Sequence, residues 1–254
     1  MVHIIRRIIG TLIGIGFIVY GTGMLLSHVM FGDPRDEQRA LEAAEQYVAS
    51  QYPEMDLSAV HAGLMIWGDD TYVITIASPS SEDTRFYVTV AADGTILSDE
   101  YDDVLSGMVT FNRLNEEYRP LVETALISLP FDYKLYEDVL TVYEGEESPY
   151  EALDPATLLL DHDYDIHAIG RDYGSLFVAV EDEAATAIRA SALMRDVKRA
   201  LDEADVPFRT LLLTIQDGNE SFYSGRVTPY SIDAEGLEEQ LKQNNIDWVT
   251  GLNE

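Results

Sequence analysis

The chain has 254 residues, 46% of them apolar and 24% charged, and a formal net charge of −30. That length and composition suit one or two globular domains with real cores. The charge repels nucleic acid and anionic lipid and so argues against phosphate-backbone binding. The absence of cysteine removes disulfides, thiolate metal sites, cysteine nucleophiles and lipid attachment at a cysteine. The acids are spread along the chain instead of forming a tail, the pattern of a solvated surface more than of a site.

Residues 1–31 contain Arg6 and Arg7 and no acid, so the rest of the chain carries the other 14 basic side chains and all 46 acidic ones. The stretch from Ile8 to Phe31 has no formal charge and one histidine, His28. An α-helix rises about 1.5 Å per residue, so about twenty such residues span a bilayer core. Glycines 10, 14, 16, 21 and 23 are tolerated in a membrane span, and Gly10-x-x-x-Gly14 matches a pattern that lets two spans approach. The exit, His28 to Pro34, lacks the small-residue cleavage pattern of a signal peptide, which favours a retained anchor. The paired arginines before the span orient the N-terminus to the cytoplasm and the bulk of the chain to the exterior.

Beyond the anchor (residues 1–32), the expected architecture is α+β in two units, 33–130 and 131–254. Asp33-Pro34 is helix-start chemistry, and Leu41, Ala44, Tyr47, Val48 and Tyr52 form one helical face that Pro53 terminates. Four β-type segments follow at about 58–67, 71–77, 85–91 and 95–98, separated by Gly68-Asp69-Asp70, by Ser78 to Asp83, and by Asp93-Gly94. One helix with a four-stranded antiparallel meander makes a compact two-layer unit. From Asp102 to Ser128 the spacing is helical, interrupted at Gly107 and Pro120.

The second unit is expected to be a small α+β sandwich. Strands are read near 136–143, 164–169, 175–181, 208–216 and 221–228, with antiparallel-length connections. A helix is read at 183–204, and an amphipathic terminal piece carries Leu237, Leu241 and Ile246.

The stretch Tyr72 to Tyr118 resembles the YfjL-like family of Gram-positive bacteria. The marks are the Ser78-Pro79-Ser80-Ser81-Glu82-Asp83-Thr84 loop, the Asp93-Gly94 turn, the Tyr101-Asp102-Asp103 step and the block from Thr110 to Tyr118 containing Asn112-Arg113-Leu114. Asp163 to Leu176 is similar to that family's C-terminal domain. The resemblance implies a short membrane-anchored or exported protein. The family has no assigned catalytic residues, so no site residue is carried over. The helix-plus-meander pattern also resembles PepSY and cystatin-like units, a likeness of fold that transfers no function.

The densest group of ligand types is Asp161-His162-Asp163-Tyr164-Asp165-Ile166-His167. If 163–167 is a strand, Asp163, Asp165 and His167 share a face and could take zinc or another divalent ion. The alternative is an exposed edge in an acid-rich chain. Asp69-Asp70 and Asp99-Glu100 with Asp102-Asp103 are paired carboxylates, and turn chemistry accounts for the first pair. Arg113 is expected to be paired, locking the second helix to the sheet, with anion recognition as its alternative role. No hydrolase, zinc-protease, calcium-loop or phosphate-loop motif occurs, and no catalytic residue or cofactor is expected.

The reading is a non-enzymatic, membrane-tethered binding or regulatory module of the cell envelope, taking a peptide or protein partner by strand addition to an exposed sheet edge. The alternatives are a wall-acting enzyme using carboxylates, and an assembly component paired through the anchor.

Overall fold

The computed structural model describes residues 33–65, 71–136, 138–141, 152–218 and 220–251. The expected anchor, Ile8 to Phe31, lies outside these residues, and no described helix is long and apolar enough to cross a membrane. The described residues hold seven α-helices and two four-stranded sheets, an α+β fold. They form two compact units that divide between Val109 and Thr110.

In the first unit, α1 (Pro34–Gln51) begins where the Asp33 carboxylate accepts the Arg35 N–H at 2.9 Å, with proline at the first helical position. It ends at Tyr52, ahead of Pro53. Its buried stripe is Ala40, Ala44 and Val48. Strands β1 (Ser58–Met65), β2 (Thr71–Ser78), β3 (Ser81–Ala91) and β4 (Ile96–Asp99) pair antiparallel in chain order. Alternation puts Tyr72, Ile74 and Ile76 of β2 and Phe86, Val88 and Val90 of β3 in one core with the α1 stripe. Each fully buried aliphatic or aromatic side chain there contributes about 1.5–3 kcal/mol.

The break between β2 and β3 is shorter than its polar sequence suggests. Ser78 pairs directly with Ser81, the turn is Pro79-Ser80, and the Ser78 hydroxyl accepts the Ser80 N–H at 3.3 Å. Residues 81–84 therefore extend the strand, and both Asp83 and Thr84 are buried. At the next turn Gly94 has φ +90°, a conformation suited to glycine, and Asp93 accepts the Thr95 N–H at 2.9 Å. That backbone donor holds the Asp93 carboxyl below its ordinary range. A short helix, α2 (Tyr101–Leu105), follows β4.

The interrupted helical stretch is resolved at Gly107, which has φ +78° and separates α2 from α3 (Met108–Leu126). Pro120 stays inside α3. Most of α3 packs into the second unit: Asn115 Oδ1 accepts the N–H groups of Val139 and Leu140, at 3.0 and 3.1 Å, and the Tyr118 hydroxyl donates to the Pro207 carbonyl at 2.6 Å. The unit division thus falls near the start of this helix, not after it at residue 130.

The second sheet runs β5 (Lys134–Leu135), β6 (Ser175–Glu181), β7 (Thr210–Asp217), β8 (Glu220–Val227). Pairs β5–β6 and β7–β8 are antiparallel, but β6 and β7 are parallel. Their connection contains α5 (Ala187–Glu203), the length a parallel crossover requires. The antiparallel-length connections expected in this unit do not include this one, which is a crossover. Leu176, Val178 and Val180 and Leu211, Leu213 and Ile215 are buried, as are Leu193, Met194, Val197 and Leu201 of α5.

The strand expected at 164–169 is instead the start of α4 (Ile166–Tyr173). Asp165 accepts the N–H groups of His167 and Ala168, at 3.0 and 3.2 Å, and so nucleates a helix where hydrophobic alternation suggested a strand. The helix brings Gly170 against Tyr118: a Cβ at that position would lie 2.4 Å from the Tyr118 ring and 2.8 Å from the Pro207 carbonyl oxygen. Of the strand expected at 136–143, residues 137, 142 and 143 lie outside the described residues. The described part follows β5 and carries one bridge, between Leu140 and Gly174, while Asn115 takes the N–H groups of Val139 and Leu140. The chain closes with α6 (Pro229–Asp233) and α7 (Leu237–Gly251), where Leu237 and Leu241 are buried but Ile246 is exposed.

Candidate binding surface

β1 is the longest exposed sheet edge among the described residues, and its pairing has two parts. A bulge falls between Ala59 and His61, leaving Val60 out of register, and from His61 to Met65 the strand pairs regularly with Thr75 to Thr71. An antiparallel strand sends part of its N–H and C=O groups to each side. On the side away from β2, no described residue offers β1 a hydrogen bond.

Side-chain alternation divides the surroundings of this edge. Ala59, Ala62 and Leu64 face α1 and pack against the core, whereas His61, Gly63 and Met65 stand on the opposite face, beside Thr75, Val73 and Thr71. Val60 and Met65 are exposed apolar residues. At Gly63 a Cβ would meet, among the described residues, one atom within 4 Å, the Val73 carbonyl oxygen at 3.9 Å. Glycine in a strand interior loses packing and often marks a close approach by another backbone. The segment Leu57 to Met65 contains no acid, lysine or arginine.

The other edge of this sheet, β4, is only four residues long. Asp99 at the end of β4 accepts the hydroxyls of Tyr47 and Tyr52, the latter at 3.3 Å, and the Tyr101 N–H at 3.2 Å. The Tyr52, Phe86 and Tyr101 rings cluster with centroids 4.5–5.9 Å apart. The hydrogen bond to Asp99, with burial, raises the Tyr47 phenol to about 12, and burial with the Asp99 charge raises Tyr52 to about 12. The carboxylate is thereby committed to joining the end of α1 to the sheet. Asp102 and Asp103, paired with it in the sequence, instead lie in the first turn of α2.

The proposed ligand group does not form the shared face that a strand would give. Asp163 and Asp165 are exposed, Asp165 caps α4, and His167 lies within the helix. Among the described residues no three histidine or carboxylate side chains are grouped to hold a metal ion. Arg113 is paired, as its chemistry suggests, with Glu117 one turn along α3 at 2.7 Å. It also donates to the His162 carbonyl at 3.1 Å, which ties α3 to the loop before α4.

An open depression of about 430 Å³ at the ends of β6 and β7 is lined by Glu181, Asp182, Glu183, Gln216, Asp217 and Gly218. Its most engaged carboxylate, Asp182, is held by Arg189 at 2.6 Å, and that hydrogen bond lowers its pKa. Neither this depression nor the β1 edge was visible in the sequence motifs. The run Leu57–Met65 is uncharged, but so is Thr71–Ser81, which contains the inner strand β2, so charge patterning does not mark the edge.

No family model matches this chain, and no curated protein matches it. Among solved structures it is similar to a DUF5037 family protein from Ruminococcus gnavus, at 13% identity over 80% of this chain and 86% of that one. The TM-score is 0.22, at which the likeness carries no argument about fold or function.

Proposed function

We propose that this protein is a non-enzymatic binding module of the cell envelope, tethered by residues 8–31, which takes an extended peptide segment of its partner along β1. The observation that carries the reading is the regular His61–Met65 edge, without a hydrogen-bond partner on its outer side among the described residues. Strand addition uses main-chain hydrogen bonds for affinity and alternate side chains for selectivity. The uncharged run from Ile8 to Phe31 and the resemblance to a membrane-anchored family support the tether.

The test is selection of extended peptides from a display library on the full-length chain in detergent, followed by amide hydrogen exchange. Selected peptides should slow exchange within Ser58–Met65. The double variant Val60→Lys, Met65→Lys places charges on the edge and should lose them. Selected peptides that protect other segments, and bind the double variant equally, would remove β1 as the site.

A further inference from the structure

We infer that the segment received by β1 is cationic: a strand with apolar residues on one side and lysine or arginine beside α1. This rests on the reading of β1 as a docking edge and adds the class of partner.

The argument starts from the orientation of α1. One flank of that helix is turned toward β3 and β4. Arg39 donates to the Ala92 carbonyl at 2.7 Å, Tyr47 bonds Asp99, and a Cβ on Gly94 would lie 3.6 Å from both Arg39 and Ala43. Residues advance by about 100° around a helix, so the opposite flank, toward β1, is Gln38, Leu41 and Glu45. Leu41 of α1 and Leu57, Ala59, Ala62 and Leu64 in and before β1 are each partly buried against the same core. A strand laid along His61–Met65 therefore meets an apolar strip, Leu41 with Ala62 and Leu64, rimmed by Glu45. Glu45 is exposed and makes no hydrogen bond or ion pair.

Two further observations select the charge. Residues 33–109 carry 16 acidic side chains against three basic ones, so the field around this unit attracts cations and opposes an acidic peptide or a second copy of the chain. The edge itself, Leu57–Met65, carries no charged side chain apart from any on His61, so main-chain pairing there desolvates no fixed charge of its own. Long-range attraction with a neutral, apolar seat is the arrangement that accelerates encounter without burying an unpaired ion.

The experiment compares three peptides on the full-length chain in zwitterionic detergent: a strand-forming peptide with lysine at alternate positions, its threonine counterpart, and a proline-interrupted peptide with the same lysines. The lysine strand should bind at least about tenfold more tightly than the threonine strand at low salt, with the advantage shrinking as salt shortens the screening length. It should protect His61–Met65 from exchange, and Glu45→Gln should reduce its advantage. If lysine and threonine strands bind equally and both protect β1, the edge reading stands and the cationic class is overturned. If the proline-interrupted peptide binds as well as the lysine strand, with no protection of β1, attraction is by charge alone and both readings fail. Binding by none of the three overturns both.

Discussion

The two sheets have four strands each but treat their edges differently. In the second, Asn245 of α7 accepts the Tyr223 N–H at 2.8 Å and Asn244 donates to the Ser224 carbonyl at 2.6 Å, so β8 is closed by side chains. The approach is close enough that a Cβ on Gly225 would lie 2.7 Å from the Asn244 amide nitrogen. The opposite edge, β5, is only two residues long. In the first sheet β4 is only four residues long, its end joined to α1 through Asp99, whereas β1 runs for eight residues with no hydrogen-bond partner on its outer side among the described residues. Unpaired edges invite pairing with another chain, and proteins ordinarily shorten, charge or cover them. The bulge at Val60 blunts only the start of β1, so the contrast marks His61–Met65 as the regular exposed edge of the first sheet.

The largest expected effect tests what makes the second unit rigid. Gly170→Ala forces a Cβ into the Tyr118 ring and the Pro207 carbonyl and should destabilise that unit by about 3 kcal/mol, read by urea unfolding. A loss below about 0.5 kcal/mol would show that the Tyr118 contact relaxes freely. Next, Asn245→Ala uncovers the Tyr223 N–H and should cost about 1 kcal/mol while speeding its amide exchange, making β8 resemble β1.

A pH scan distinguishes the other edge. The folded state holds the Tyr47 and Tyr52 protons more tightly than the ordinary value of 10.0, so their contribution is complete below that pH and is lost as pH rises toward 12. The first unit should lose stability across this window, and Tyr47→Phe with Tyr52→Phe should flatten that dependence in melting curves. The smallest expected change in stability belongs to Val60→Lys, Met65→Lys. Both residues are exposed, so the melting curve should move by no more than about 0.5 kcal/mol while peptide binding is lost.

Much of the first unit could be read from local chemistry. Asp33-Pro34 starts α1, the α1 stripe meets alternating β2 and β3 residues, and Gly94 turns the chain into β4. The candidate edge was less readable, because pairing on one side of a strand and vacancy on the other have the same alternation. The Asp163, Asp165 and His167 group misled for a related reason. Its alternating residues also suit a capped helix, and the hydrogen bonds from His167 and Ala168 to Asp165 decide for the helix. Arg113 was expected to pair; its bond to Glu117 is an i,i+4 contact that the helix itself supplies, whereas its bond to the His162 carbonyl depends on where α3 packs.

By itself the sequence determines the acidic charge, the uncharged Ile8–Phe31 run, the absence of cysteine chemistry and the α+β mixture, since each follows from composition or near-neighbour spacing. Tertiary structure alone decides the parallel pairing of β6 and β7, the seat of Tyr118 against Gly170, and which sheet edge is covered. These rest on groups far apart in the chain, brought together by burial of the whole core, and no local pattern records which strand finds a neighbour and which does not.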